Sequence, residues 1–123
     1  MKIYFEMEKK TITISVYNII ADKTAMDVDQ GQKIFERIDN AFKESLYIDV
    51  SFQNIELITT AFLNTAIGQL YRDYKEDFIR EHLKTSNLTN SGMIKLKKVV
   101  ETAKLYYKDP KALEQSIKDI LED

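Results

Sequence analysis

The hydrophobic period of this chain changes once within a short span, and that change constrains the fold more than any bulk property. In YIDVSF, residues 47 to 52, Ile48, Val50 and Phe52 alternate with other side chains, the pattern of a strand with one face against a core. From Thr60 onward the spacing becomes three and four: Leu63, Ala66, Ile67, Leu70, Tyr71, Tyr74 and Phe78 form one stripe, with Arg72, Asp73 and Lys75 on other faces. A strand followed this closely by a long, half-buried helix predicts a layered α/β domain.

The flanking segments extend the pattern. KIYFEM and TITISVY both alternate on either side of Glu8-Lys9-Lys10, which predicts an antiparallel hairpin with Ile12, Ile14 and Val16 on one face. Residues 18 to 28 read as loop, and Asp29 is the expected cap of a helix whose Ile34, Phe35, Ile38, Ala41 and Phe42 make a buried stripe. HLKTSNL, 82 to 88, reads as a polar edge strand. Asn90 or Ser91 is the expected cap of a third helix lined by Met93, Leu96, Val100, Ala103 and Tyr107. Pro110, suited to a first helical turn, opens a last helix with Leu113, Ile117, Ile120 and Leu121 inward. The expected fold is α/β, a small mixed β-sheet covered by helices in the order β-β-α-β-α-β-α-α, with right-handed crossovers.

A length of 123 residues suits one domain, 1–123, with residues 109–123 as an additional C-terminal helix. The net charge of -2 gives no reason to expect nucleic acid or an anionic membrane as partner. One stretch leans the other way: residues 84 to 111 carry seven lysines against Glu101 and Asp109. A solvated helix face explains that lean, and a surface for anions or an acidic partner is the sharper reading. Cysteine is absent, which removes disulfides, thiolate zinc sites and cysteine nucleophiles. Glu6 and Glu8 interrupt any signal-peptide core, and no apolar run approaches the roughly 20 residues of a membrane span. The expectation is a cytoplasmic protein that is not exported by that route.

Chemical motifs are sparse. Gly31, Gly68 and Gly92 lie far apart, so no phosphate-cradling loop can be assembled from the sequence. His82 is the single histidine, which supports neither a metal site nor a His-based triad and points to a structural role. Asp49 is the one acid at an odd place, inside a strand, where binding loop N–H groups is favoured over a catalytic or magnesium role. Tyr71, Tyr74 and Tyr107 fall on core stripes, where packing is the ordinary use of an aromatic ring. No cofactor, metal or enzyme class is expected.

That leaves Thr59 and Thr60, at the seam between strand and helix. A loop at the carboxyl end of a sheet strand is where binding surfaces gather in such folds. Either hydroxyl can cap the helix, and a phosphate there would meet free N–H groups at the helix start.

The stretch VSFQNIELITTAFLNTAIGQLY, with the preceding glycine-bearing VDQGQKIFERI, resembles the STAS-like domain family (DUF4325), related to the anti-sigma factor antagonists. By element order the resemblance spans residues 10 to 108. It implies a non-enzymatic regulatory domain that binds a protein, the partner being a histidine-kinase-like ATPase or a sensor. In the antagonists this segment carries a strand-end Asp, then Asp-Ser-Ser-Gly-Leu with a phosphorylated serine. The match places Ser51 at the strand-end Asp, Thr59 at the second Asp, Thr60 at the phospho-acceptor, Ala61 at the next Ser, Phe62 at Gly and Leu63 at Leu. Both acids are missing and the glycine has become a bulky Phe62, so the acids that shape this site in the antagonists have no counterpart here.

The resulting expectation is docking of a protein through the 53–64 loop and the following helix start, with Thr60, Thr59 and Asn64 exposed there. The rival is a small-molecule or nucleotide-binding sensor module using Lys95, Lys97 and Lys98 as anion contacts. The edge strand and the surplus C-terminal helix also leave a homodimer open.

Overall fold

The structure, a computed structural model, describes residues 11–108. KIYFEM, the first arm of the expected hairpin, and the expected last helix both lie outside the described residues. Strands β1 (Thr11–Ser15), β3 (Tyr47–Ser51) and β5 (Leu83–Ser86) form a sheet in the order β1-β3-β5. Both pairings are parallel, with Thr13 beside Asp49 and Asp49 beside Lys84. A second, two-stranded parallel ladder joins β2 (Thr24–Ala25) to β4 (Leu57–Ile58). It is lengthened by the Glu56 N–H on the Lys23 carbonyl at 2.7 Å and the Thr59 N–H on the Ala25 carbonyl at 3.0 Å.

The strand expected over TITISVY stops at Ser15. Its Oγ accepts the Asn18 N–H at 3.1 Å and caps a short helix, α1 (Val16–Ile20). Val16 is therefore buried from a helix, while Ile12 stays 37% exposed. The segment expected as loop holds the end of α1 and all of β2.

Helix α2 (Val28–Lys43) is capped by Asp27, and Asp29 sits in its first turn instead of capping it. Asp27 accepts the Gln30 N–H at 2.8 Å, and Gln30 Oε1 accepts the Asp27 N–H at 3.1 Å, a reciprocal capping box. Gln30 also accepts the Met26 N–H and donates to the Thr24 carbonyl. Those bonds to the end of β2 favour Asp27 over Asp29. The expected stripe Ile34, Phe35, Ile38, Ala41 and Phe42 is buried throughout.

The helix expected from Thr60 starts there but is not continuous. It comprises α3 (Thr60–Leu63), a π-helical turn (Asn64–Gly68) and α4 (Leu70–Asp73). At Tyr74 the backbone turns extended, φ -125° and ψ 146°, before α5 (Glu76–His82) begins. Tertiary contacts account for both interruptions. In the widened turn, Gln69 Nε2 donates to the Thr65 carbonyl at 2.8 Å and to Gln32 Oε1 on α2 at 3.1 Å. At the break, the Tyr74 hydroxyl donates to Asp39 Oδ1 at 2.6 Å and its ring meets Phe42 edge-on at 5.0 Å.

β5 forms as expected and is an edge of the sheet among the described residues. Helix α6 (Asn90–Lys108) is capped by neither Asn90 nor Ser91. Thr89 Oγ1 accepts the Gly92 N–H at 3.0 Å. Its buried line is also rotated from expectation, to Gly92, Val99 and Ala103 with Leu96 and Val100 half-buried. Met93 is 57% exposed and Tyr107 36%. Small residues at the contact explain the rotation: a Cβ on Gly92 would lie 3.0 Å from Ile58, and the Cβ position of Gly68 is 3.5 Å from Val99.

The Tyr74–Asp39 pair carries a pH prediction. Burial, then the Asp39 hydrogen bond, pushes the Tyr74 phenol up to about 12. The same bond holds the Asp39 carboxyl below its ordinary value. A folded-state value above the unfolded one gives stability that is present below about 10 and lost as pH rises toward about 12. Urea unfolding between pH 9 and 12 is expected to show this loss in wild type and a flatter profile in Tyr74→Phe.

Candidate functional site

The junction after β4 is built so that two adjacent threonines do different things. Thr59 is half-buried and in extended conformation, φ -105° and ψ 160°, as an N-cap requires. Its hydroxyl accepts the Phe62 N–H at 3.1 Å and donates to the Met26 carbonyl. Both capacities of that hydroxyl are thus used, and Thr59 ties the helix start to the end of β2. Thr60 is the first helical residue and is exposed, with no hydrogen bond from its hydroxyl among the described residues. Asn64, one turn on and on the same side of the helix, is exposed as well.

Beneath the pair lies the core. Phe62 and Leu63 are fully buried, and Phe62 meets Phe52 edge-on at 6.5 Å. The bulk of Phe62 therefore points inward, and the surface position beside Thr60 is an exposed Ala61. Ser51 takes a strand-end role: its Oγ accepts the Gln53 N–H at 3.3 Å and Asn87 Nδ2 at 3.2 Å. Asp49 does not serve that end as expected. It stands mid-strand beside Thr13 and Lys84, and its buried Oδ1 has no hydrogen bond among the described residues. A mid-sheet register leaves it out of reach of the loop N–H groups that Ser51 meets.

The three lysines of the rival reading are not gathered at one point. Lys95 Nζ donates to the Ile58 carbonyl at 2.8 Å and so braces α6 against the residue before Thr59. Lys97 and Lys98 are exposed further along α6. His82 Nδ1 donates to the Phe78 carbonyl at 3.0 Å, and its ring stacks on Tyr47 at 4.5 Å, so its role is in packing.

Three apolar side chains at this end escaped the reading of the sequence. Leu57 is 46% exposed, Met26 43% and Val28 56%. Met26 is the residue whose carbonyl Thr59 binds, Val28 opens α2, and Leu57 precedes the Ile58 that Lys95 holds. Leu57 was hidden because the pair Leu57-Ile58 has no polar partner to mark which residue faces out. The available signal was alternation, which sends Leu57 outward once Ile58 is placed inward.

Among the described residues no group of three His, Cys, Asp or Glu could hold a metal ion. No helix among them is long and apolar enough to cross a membrane. A cleft of about 710 Å³ lies elsewhere, between residues 71–76 and the end of α6. That is roughly 20 Å along the helical segment from Thr60, at 1.5 Å per residue.

A family model described as the STAS-like domain of unknown function (DUF4325) matches residues 30–93, just over half of the chain. The match takes in most of α2, the sheet strands β3 and β5, and the whole Thr59-Thr60 junction. Comparison with curated proteins finds no match, nor does comparison with solved structures.

Proposed function

Since the chain belongs to the STAS-like DUF4325 family, we propose that it is a non-enzymatic regulatory domain that docks a protein through the 53–64 loop and the helix start at Thr60. The observation that carries this reading is the division of labour at the junction: Thr59 is locked as a cap, while Thr60 stands exposed beside it. Leu57, Met26 and Val28 add exposed apolar surface at the same end, the kind of anchor that a protein interface uses. The partner that the resemblance to anti-sigma factor antagonists implies is a histidine-kinase-like ATPase or a sensor. A phosphate on Thr60 would bring between one and two negative charges onto the docking surface without disturbing the cap.

Affinity capture from the native host tests the reading, using wild type, Thr60→Ala, Thr60→Glu and Leu57→Asp. Wild type and Thr60→Ala are expected to retain the same partner. Thr60→Glu and Leu57→Asp are expected to weaken it at least about tenfold, the equivalent of roughly 1.4 kcal/mol. Equal retention by all four would overturn the docking face. Thr59→Ala separates structure from function, since losing the cap should cost about 1 kcal/mol of folding stability, whereas Thr60→Ala should leave unfolding nearly unchanged.

A further inference from the structure

Two surfaces of this chain combine exposed apolar side chains with charges of opposite sign. The first is the end that carries Met26, Val28 and Leu57, all exposed. Pairing of Thr24 with Leu57, and the Glu56 N–H on the Lys23 carbonyl, bring the 22–29 segment beside the 56–60 segment there. The exposed charges at this end are Asp22, Asp27, Asp29 and Glu56 against Lys23, whose ammonium stands 4.0 Å from Glu56. The outer edge of β2 is closed by side chains: the Thr24 N–H goes to Asp22 Oδ1 at 3.0 Å, and the Thr24 carbonyl accepts Gln30 Nε2 at 3.2 Å. A partner at this edge therefore meets side chains and not unpaired strand backbone. The second surface is the first half of α6. Met93 is exposed, and Ile94 is 70% exposed, more than any other large apolar side chain described. Lys97 and Lys98 follow Ile94 at three and four residues, so these three share one exposed face. No acid lies between Thr89 and Val100. Among the described residues Asp29, Lys97 and Lys98 join no ion pair.

We propose that these two surfaces meet between copies of the chain: the acidic end with Met26, Val28 and Leu57 on one copy receives Met93, Ile94, Lys97 and Lys98 of another. Both sides then bury apolar surface that a single copy leaves in water, and each set of charges finds the opposite sign. Exposed ion pairs add little energy by themselves. The apolar side chains therefore supply the attraction, while the charges select the pairing and fix its register. Two acidic ends, or two α6 faces, would instead place like charges together. A contact between two small patches is weak and depends on concentration. Met26 and Leu57 belong to the docking end as well, so a second copy seated there would compete with a foreign protein. That consequence rests on the proposed function; the contact between copies does not.

Sedimentation equilibrium of the full chain tests the contact by charge reversal. Wild type is expected to self-associate between about 20 μM and about 1 mM at low salt and less at high salt, since a weak charged contact is screened. Asp29→Lys with Glu56→Lys, and separately Lys97→Glu with Lys98→Glu, are each expected to raise the dissociation constant at least about tenfold by setting like charges opposite one another. None of these four side chains makes a hydrogen bond among the described residues, so the variants should fold, which thermal unfolding checks. All four substitutions in one chain restore opposite signs and are expected to bring the constant back to within about threefold of wild type, a coupling that independent sites do not show. Wild type that stays monomeric throughout, or a combined variant no better than the two it combines, would overturn the proposal. A monomeric wild type would leave the docking reading untouched, because affinity capture tests that separately.

Discussion

Phe62→Ala is expected to destabilise the protein by about 3–5 kcal/mol, the range for emptying a buried aromatic site. Phe62 is wholly buried and packs against Phe52 at the base of the junction. Phe62→Gly should be worse still, because glycine costs about another 1 kcal/mol inside a helix. In this chain the side chain fills the space under the loop, while Ala61 and Thr60 are exposed. Ala61→Gly, on the exposed neighbour, should cost no more than about 1 kcal/mol. Urea unfolding of the three variants with an unchanged denaturant slope measures this directly. A loss below about 1.5 kcal/mol for Phe62→Ala would mean that Phe62 does not support the junction.

Gly31→Ala and Gly68→Ala are expected to change stability in opposite directions. A Cβ on Gly31 would lie 2.7 Å from the Phe62 carbonyl oxygen and 2.8 Å from Thr65 Cβ. Neither neighbour is a movable side-chain end, so α2 or the π-helical turn has to shift, at a cost of about 1–3 kcal/mol. The Cβ position of Gly68 meets nothing nearer than 3.5 Å. Alanine there should gain up to about 1 kcal/mol from helix propensity. Gly31→Val should exceed Gly31→Ala, since two further methyl groups enter the same gap. The pair also bears on the site: pushing α2 away from Phe62 and Thr65 would displace the helix that presents Thr60 and Asn64. Thermal unfolding of both alanine variants is sufficient, and two changes of the same sign would contradict the close approach.

Periodicity carried most of the architecture. The stripe of α2, the strand YIDVSF and the helix start at Thr60 all followed from the spacing of apolar residues, because each buries one face against a common core. Local rules were weaker at the ends of elements. Asp27, not Asp29, caps α2, and Thr89, not Asn90 or Ser91, caps α6. Several nearby residues could cap in each case, and the winner was set by contacts such as those of Gln30 with β2 that no local pattern contains.

What the sequence determined by itself is an α/β domain of one strand-to-helix alternation with a hydroxyl pair at its central seam, since burial of alternate residues leaves few other ways to cover such faces. Only the tertiary structure decided which hydroxyl is consumed as a cap and which is exposed. That distinction depends on the Met26 carbonyl, 33 positions away in the chain, meeting Thr59 and passing Thr60 by. It likewise decided that the long helix would open into a π-helical turn and break at Tyr74. Both events are driven by bonds to Gln32 and Asp39 on α2, partners that lie far off in sequence and are brought near only by folding.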